Sequence, residues 1–206
     1  VRKVFVDLYK KNLIYRGNRL VNWSTPLESA ISDLEVEYKE TKSALYYINY
    51  PVEGQPGVFL QVATTRPETL LGDTALAVHP EDDRYKKLVG KMVSLPLTNR
   101  MIPIIADTYV DKAFGSGVVK ITPAHDFNDY AVGLRHKLPL INILEKNGTL
   151  NENGGAYKGL KVQEARKRVI EDLKTQELLA KEEAMKNNVG YCSRTGAVVE
   201  PFLSDQ

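Results

Sequence analysis

One cysteine, Cys192, in 206 residues excludes an internal disulfide and any cysteine-rich zinc site, and it fits a reducing compartment. Histidine is scarce too: there are three, and His79 and His136 sit in unrelated patterns. His125-Asp126-x-x-Asp129 therefore lacks a second histidine at ligand spacing, and no metal is expected there. No serine lies in a G-x-S-x-G elbow and Cys192 falls in a presumed ribbon, so nothing supports a Ser-His-Asp or Cys-His hydrolase. Gly115-Ser116-Gly117 is a lone glycine pair, more often a strand-entry turn than a phosphate cradle. No apolar run reaches the length that spans a bilayer, and no membrane segment is expected. Initiator methionine, signal peptide and transit-like segment are all missing from the start. Because the chain opens on Val1 in mid-pattern and stops at Gln206 without a closing signal, it is expected to be a piece of a longer polypeptide.

What is present is the make-up of an ordinary globular domain, 43% hydrophobic and 26% charged, enough for one domain with appendages or two small ones. A formal net charge of +2 does not by itself argue for nucleic acid, whose binding normally shows as a local basic surface. Arg2, Lys3, Lys10, Lys11, Arg16 and Arg19 stand against Asp7 alone near the start, a pattern that a solvated helix face explains equally well.

Residues 1–15 place Val4, Leu8 and Tyr9 on one side at helical spacing, predicting a helix that stops by Gly17. Residues 20–23 and 34–38 read as strand pieces of a connecting ribbon. The β-rich runs "SALYYINYPV" and "GVFLQVATT", parted by "EGQPG", read as a hairpin. Further strands are expected at 75–78, 91–95, 102–105, 118–122 and 140–143, and helices at 80–88, 126–136 and 162–179. Residues 189–202 read as a hairpin turning at Thr195-Gly196 that pairs with the early ribbon near Leu20. Strands and helices do not alternate regularly. The expected fold is therefore α+β, a mixed or barrel-like β-sheet core with a few flanking helices and extended β-ribbon ends. The expected division is 1–42 for the N-terminal helix and ribbon, 43–186 for the globular domain and 187–206 for a return ribbon. Two extended flanks suit an inserted domain, whose ends return to nearly the same place in a host.

Two polar clusters stand out. In "ATTRPETLLGD" the run Thr65-Arg66-Pro67-Glu68 has capping-box spacing, yet it also sets several polar groups at a strand end, where sites tend to be built. In "VVKITPAHDFNDY" a strand ends at Thr122-Pro123 and a helix opens at Asp126. Asp126 and Asp129 thus share its first turn, beside the free N–H groups and the positive dipole end. A purely stabilising role as cap and capping box remains open beside a functional one.

These two clusters, with "LRHKLPLINI", "NGTLNENGG", "LVNWSTPLESAISDLEVEY" and "GAVVEPFLSDQ", resemble the editing domains of the valyl-tRNA synthetase family over nearly the whole chain. Leucyl and isoleucyl relatives share the threonine-rich and Asp-x-x-Asp regions, but the Arg-Pro-Glu-Thr continuation looks valyl. The resemblance implies hydrolysis of the ester in mischarged threonyl-tRNA(Val). An apolar valine pocket cannot strongly reject its near-isostere threonine, a limit for which valyl-tRNA synthetases are themselves the standing example. It implies a catalytic set of Thr65, Arg66 and Asp129 and a substrate-binding set of Thr64, Glu68, Asp111, Phe114, Lys120 and Asp126. Asp129 would hold the α-ammonium, with Asp126 able to exchange duties with it. Asp126 and Lys120 would read the threonine hydroxyl. Thr64, Thr65 and Arg66 would engage the terminal adenosine and scissile carbonyl, with Phe114 and Asp111 near adenine and ribose. No cofactor is implied for editing; ATP and Mg would serve only a catalytic domain whose two ATP-site signatures this chain lacks. The implied partners are the tRNA(Val) 3′ end and the rest of the synthetase, with a monomeric, cytoplasmic chain and no membrane. Two alternatives are an editing domain of sibling specificity, for which a histidine in place of Lys120 would argue, and a non-catalytic module that docks the tRNA 3′ end.

Overall fold

The computed structural model describes all 206 residues. In chain order the elements are α1 (Arg2–Lys10), β1 (Asn18–Ser24), β2 (Ser29–Ala30), β3 (Val36–Pro51), β4 (Phe59–Thr64), β5 (Ala75–Val78), β6 (Met92–Ser94), β7 (Met101–Ala106), β8 (Val118–Ile121), α2 (Phe127–His136), α3 (Val162–Thr175), β9 (Leu179–Cys192) and β10 (Val199–Asp205). Short 3-10 helices cover Asp33–Glu35, Pro67–Gly72 and Glu152–Tyr157. The strands form three sheets ordered β10-β1-β2, β4-β3-β9 and β6-β7-β5-β8. The fold is α+β with no closed barrel. One pairing, β5 with β7, is parallel, which makes the last sheet mixed.

β3 is the long element. Over its whole first part it pairs only with β9, starting from Val36 opposite Cys192, and over Tyr46–Pro51 it also takes β4. The sequence reflects this change of surroundings. "VEYKETK" is half-exposed ribbon, whereas Ile48 and Tyr50 are fully buried where the third strand arrives. β5, "ALAV", is buried at every position because it has a strand on each side and a core on each face. Leu76 and Val78 join the main core, and Ala75 and Ala77 face a smaller one with Val110, Ile121 and Val132 of α2. That division follows from the two-residue period of strand side chains. α3 buries Val162, Ala165, Val169 and Leu173, one helical face, against the 3-10 turn at Pro67–Gly72. The outer ribbon is fastened by Trp23 stacked on Phe202 with centroids 4.8 Å apart, while the Trp23 indole N–H donates to the carbonyl of Lys146 at 2.8 Å.

The ribbon register pairs Leu20 with Leu203, as expected, and the structure corrects several other expectations. Residues 80–88 form turns, not a helix. The Asp82 carboxylate accepts the Arg84 N–H and grips its guanidinium, a local alternative to the helical ladder. Residues 140–143 are irregular: the Ile143 N–H donates to His125 and the Asn142 carbonyl accepts from Asn151 and Asn153. α1 ends at Lys10 and buries nothing. α3 stops at Thr175, and Glu177 at φ 56 turns the chain into β9, whose first half the sequence pattern does not announce as strand. Leu34 belongs to the 3-10 turn, so that strand begins at Val36.

Gly133 shows how closely α2 lies on the end of β8: an added Cβ would stand 2.7 Å from Cγ of Pro123. Alanine ordinarily gains about 1 kcal/mol over glycine in a helix, and here the steric term opposes it. Gly133→Ala is expected to lower the unfolding free energy by about 1–3 kcal/mol in urea titration. Leu134→Ala on the face that is 53% exposed is expected to change it by less than about 0.5 kcal/mol.

Candidate functional site

The two polar clusters of the sequence meet across one cavity of about 310 Å³. The end of β4 and the residue after it deliver Thr64 and Thr65 to it, β8 and the residue after it deliver Lys120 and Thr122, and the N-cap and first turn of α2 deliver Asp126 and Asp129. Arg66 and Phe114 also line it. Glu68 and Asp111 do not: Glu68 is buried in an ion network behind the wall, and Asp111 accepts the Ala113 N–H at 2.8 Å in an exposed turn. Lining residues that sequence reasoning did not single out include Thr69, Tyr109, Met185 and Asn187. Only Thr69 carried a signal, as the last letter of the Arg-Pro-Glu-Thr run.

The capping-box reading of Thr65 and Glu68 gives way to a different arrangement. Arg66 occupies the N-cap of the 3-10 turn. The hydroxyl of Thr64, not Thr65, accepts the Arg66 N–H at 3.1 Å. Thr65 lines the cavity. Glu68 instead accepts from the Arg66 Nε at 3.2 Å and from Arg166 Nε and Nη2 at 2.7 and 2.8 Å. Arg66 Nη2 donates to Glu200 of β10 at 2.5 Å. Burial opposes the charge on Arg66, but the carboxylates of Glu200 and Glu68 outweigh it and hold the guanidinium protonated. Glu68 is likewise desolvated, yet its two guanidinium partners keep it below the usual carboxylate range. Glu200, with one close guanidinium against its burial, is pushed up.

The cavity floor is a second closed set. Lys120 Nζ donates to Thr69 Oγ1 at 2.8 Å, Thr122 Oγ1 at 2.5 Å and Asp73 Oδ1 at 3.1 Å. An ammonium has three donors, and all three are spent. Thr122 donates onward to Asp73 at 2.6 Å, and Tyr50 donates to the other Asp73 oxygen at 2.8 Å. Burial pushes Asp73 up, against the pull of Lys120.

At the helix start Asp126 Oδ1 accepts the N–H groups of Asn128 and Asp129, a true N-cap. Asp129 does not reach back to complete a box. Its Oδ2 accepts the Thr122 N–H at 2.8 Å, which fixes the carboxyl over the floor. It is 6% exposed and pushed up to about 7, first by burial and then by the neighbouring Asp126 charge. His125, between the clusters, accepts the Ile143 N–H at Nε2. Burial, reinforced by Arg66 and Lys120, holds it well below the ordinary imidazole value. It is therefore neutral with its proton on Nδ1, a buried nitrogen without a partner in the protein.

A cavity of about 640 Å³ on another side, between Leu97–Arg100 and Gly154–Tyr157, has no comparable chemistry. Arg100 donates to the Leu71 and Asp73 carbonyls, and Asp172 accepts from Tyr157 at 2.6 Å. No group of three or more His, Cys, Asp or Glu side chains converges to hold a metal ion. No helix is long and apolar enough to cross a membrane.

The family model described as tRNA synthetases class I (I, L, M and V) matches residues 1–200. The valine–tRNA ligase of Bdellovibrio bacteriovorus is 71% identical over 206 residues, covering 100% of this chain and 23% of that protein. The valine–tRNA ligases of Carboxydothermus hydrogenoformans and Thermotoga maritima are 58% and 57% identical over the whole chain, which covers 23% and 24% of them. The chain thus spans about a quarter of the length of these relatives. Among solved structures, the ternary complex of Agrobacterium radiobacter K84 agnB2 LeuRS, tRNA and LeuAMS matches with a TM-score of 0.53 and 19% identity, covering 97% of this chain and 35% of that one. At that identity the match speaks for the fold alone.

The raised Asp129 has a measurable consequence. Between the unfolded value near 4 and the folded value of about 7, the folded state holds a proton that the unfolded chain releases, so stability falls as pH rises through that window. Asn at this position keeps an acceptor for the Thr122 N–H and does not titrate. Asp129→Asn is expected to match the parent near pH 4 and to exceed it by roughly 2–4 kcal/mol at pH 8, in denaturant titrations run across pH. A gap that stays constant with pH would show that Asp129 ionises normally.

Proposed function

The chain belongs to the class I tRNA synthetases (I, L, M and V), and from that premise we propose that it is the editing unit of a valyl-tRNA synthetase, hydrolysing the ester of mischarged threonyl-tRNA(Val). The observation that carries this reading is the cavity of about 310 Å³ with a hydroxyl-and-charge floor, overhung by a buried carboxylate. An amino acid side chain resting on Thr69 and Thr122 meets oxygen atoms held in place by Lys120. A threonine hydroxyl restores a hydrogen bond there, whereas a valine methyl leaves the floor desolvated and unpaired, a cost of roughly 1–3 kcal/mol.

The α-ammonium of the bound ester pairs with Asp129. The bound cation supplies the positive charge that the free site lacks, lowers the carboxyl from its raised value and so favours its ionised form. Arg66 has Nε and Nη2 tied to Glu68 and Glu200, which fixes the guanidinium plane and leaves Nη1 for the scissile carbonyl or the ribose. Thr65 adds an unspent hydroxyl at the same edge. Water adds to the carbonyl carbon, the ester C–O bond breaks, and the ribose oxygen leaves with a proton. The products are threonine and tRNA with a free 3′-terminal hydroxyl. An aminoacyl ester is already activated, so positioning the water and stabilising the oxyanion suffice without a protein nucleophile or a cofactor. Phe114 and Tyr109, exposed at the rim, offer faces for the adenine.

The test is deacylation of threonyl-tRNA(Val), valyl-tRNA(Val) and isoleucyl-tRNA(Ile) by this chain and by a full-length enzyme carrying it. The threonyl ester is expected to be cleaved at least about tenfold faster than the other two, and Asp129→Ala is expected to remove at least about tenfold of that rate, the scale of one charged contact. Equal rates on all three esters would overturn the specificity. Absence of hydrolysis in both proteins would overturn the activity.

A further inference from the structure

We propose that Arg100 is a positioning residue for the selectivity of the editing site, holding the floor of the first cavity from behind. This rests on reading that cavity as the site of hydrolysis. Arg100 itself lies outside it. It lines the other cavity, of about 640 Å³, together with Leu71, whereas Thr69 of the same 3-10 turn lines the first. The turn at Pro67–Gly72 therefore separates the two spaces, with the polar floor on one side and Arg100 on the other.

Arg100 reaches this partition from a rigid support. Its carbonyl accepts the Leu95 N–H at 2.9 Å and its N–H donates to Thr98 Oγ1 at 3.2 Å, which closes the turn between β6 and β7. Nη1 of its guanidinium donates to the Asp73 carbonyl at 3.0 Å and Nη2 to the Leu71 carbonyl. Carbonyls at the end of a helical turn lack a partner within it, and a guanidinium fork can take two at once. Arg66, Arg84, Arg135 and Arg166 each meet a carboxylate, but Arg100 spends its side chain on backbone alone. Burial draws it below its ordinary value, against the pull of the Asp73 charge. A half-buried cation without a carboxylate is a costly way to close a turn, and what it secures is the placement of the groups that the turn carries.

Those groups are the floor. Thr69 and Asp73 both accept from Lys120 Nζ, at 2.8 and 3.1 Å, and Asp73 also accepts from Thr122 and Tyr50. The segment has little slack elsewhere: a Cβ added at Gly72 would stand 2.9 Å from the Ile141 carbonyl oxygen and 3.3 Å from Cγ2 of Thr122. Displacement of the Leu71 and Asp73 carbonyls passes into Thr69 and Asp73, and the acceptors offered to a threonine hydroxyl move with them. A valyl ester makes no hydrogen bond there and has none to lose.

The experiment measures deacylation of threonyl-tRNA(Val) and valyl-tRNA(Val) by a full-length enzyme carrying this chain and reads the ratio of the two rates, which does not depend on the fraction of enzyme that is folded. Arg100→Ala is expected to lower the ratio at least about tenfold through the threonyl rate alone, within the cost of a misplacement of about 1 Å. Arg100→Lys keeps the charge but cannot span both carbonyls, and it is expected to lower the ratio at least about threefold. Guanidinium ion at millimolar concentration, small enough for the space that Arg100→Ala opens, is expected to restore most of the lost ratio, and sodium ion at equal ionic strength to restore none. A ratio that stays at the parent value, a fall of both rates by one factor, or a loss that guanidinium does not reverse would overturn the role of Arg100 while the editing reading stands. A parent enzyme without preference for the threonyl ester would overturn the specificity reading and this proposal with it.

Discussion

Four charges from distant parts of the chain, Arg66, Glu68, Arg166 and Glu200, have to meet at one point beneath the surface. Arg66 and Glu68 follow β4, Arg166 lies on α3 and Glu200 on β10. The set is balanced, two positive against two negative, and each carboxylate has a guanidinium at hydrogen-bond distance. Such a group is weak evidence for net stability, because desolvation cancels much of the attraction. Removing one member is costly, because it strands an unpaired charge. The arrangement therefore acts as a constraint: α3, the return ribbon and the turn after β4 can settle only where all four charges are satisfied.

That constraint reaches the site through Arg66. Two of its three nitrogens are committed to the network, so the orientation of the third is inherited from the ribbon and from α3. In the proposed reaction the guanidinium is thus preorganised before substrate arrives, with little side-chain entropy left to lose. The same logic holds on the opposite wall, where the Thr122 N–H pins Asp129 and close contact between Gly133 and Pro123 sets how far α2 can sit from β8. The cost is a carboxyl held where water cannot solvate it, a local instability of the kind functional sites tolerate.

The sequence shows β4, β5, β7 and β8 because alternating or continuous apolar runs end at clear turn signals, and it shows α2 because an acid opens the helix where the strand stops. It conceals β9. "LAKEEAMKNN" belongs to a ribbon with little core behind it, so its burial alternates without an apolar stripe, and its letters suit a helix as well as a strand. The turns at 80–88 mislead for the opposite reason, since Pro-Glu-Asp opens helices but Asp82 spends its carboxylate on Arg84. In the site, the polar groups at strand ends are legible as a cluster because polar side chains there lack a core to join. Asp73 and Tyr50 are not, since each lies in or beside an apolar run, and Thr69 shows only as the last letter of the Arg-Pro-Glu-Thr run. Lys120, which donates to Asp73 and Thr69, is 47 residues from the first and 51 from the second. Glu200 and Arg166 look like ordinary surface charges until the chain brings them beside Glu68 and Arg66.

Lys120 clarifies how such a floor would select in the proposed reaction. With all three N–H bonds taken, it cannot donate to a ligand without giving up a partner. Its effect passes through the hydroxyls it holds. Thr122 accepts from Lys120 and donates to Asp73; Thr69 accepts from Lys120 and donates to the Arg66 carbonyl. Each oxygen keeps one lone pair and no proton to offer. The floor therefore presents acceptors, and its complement is a group that donates. A threonine hydroxyl can do so and a valine methyl cannot, although the two side chains fill nearly the same volume. Discrimination built this way depends on the direction of hydrogen bonds, a property that separates the two amino acids where a pocket judging size does not.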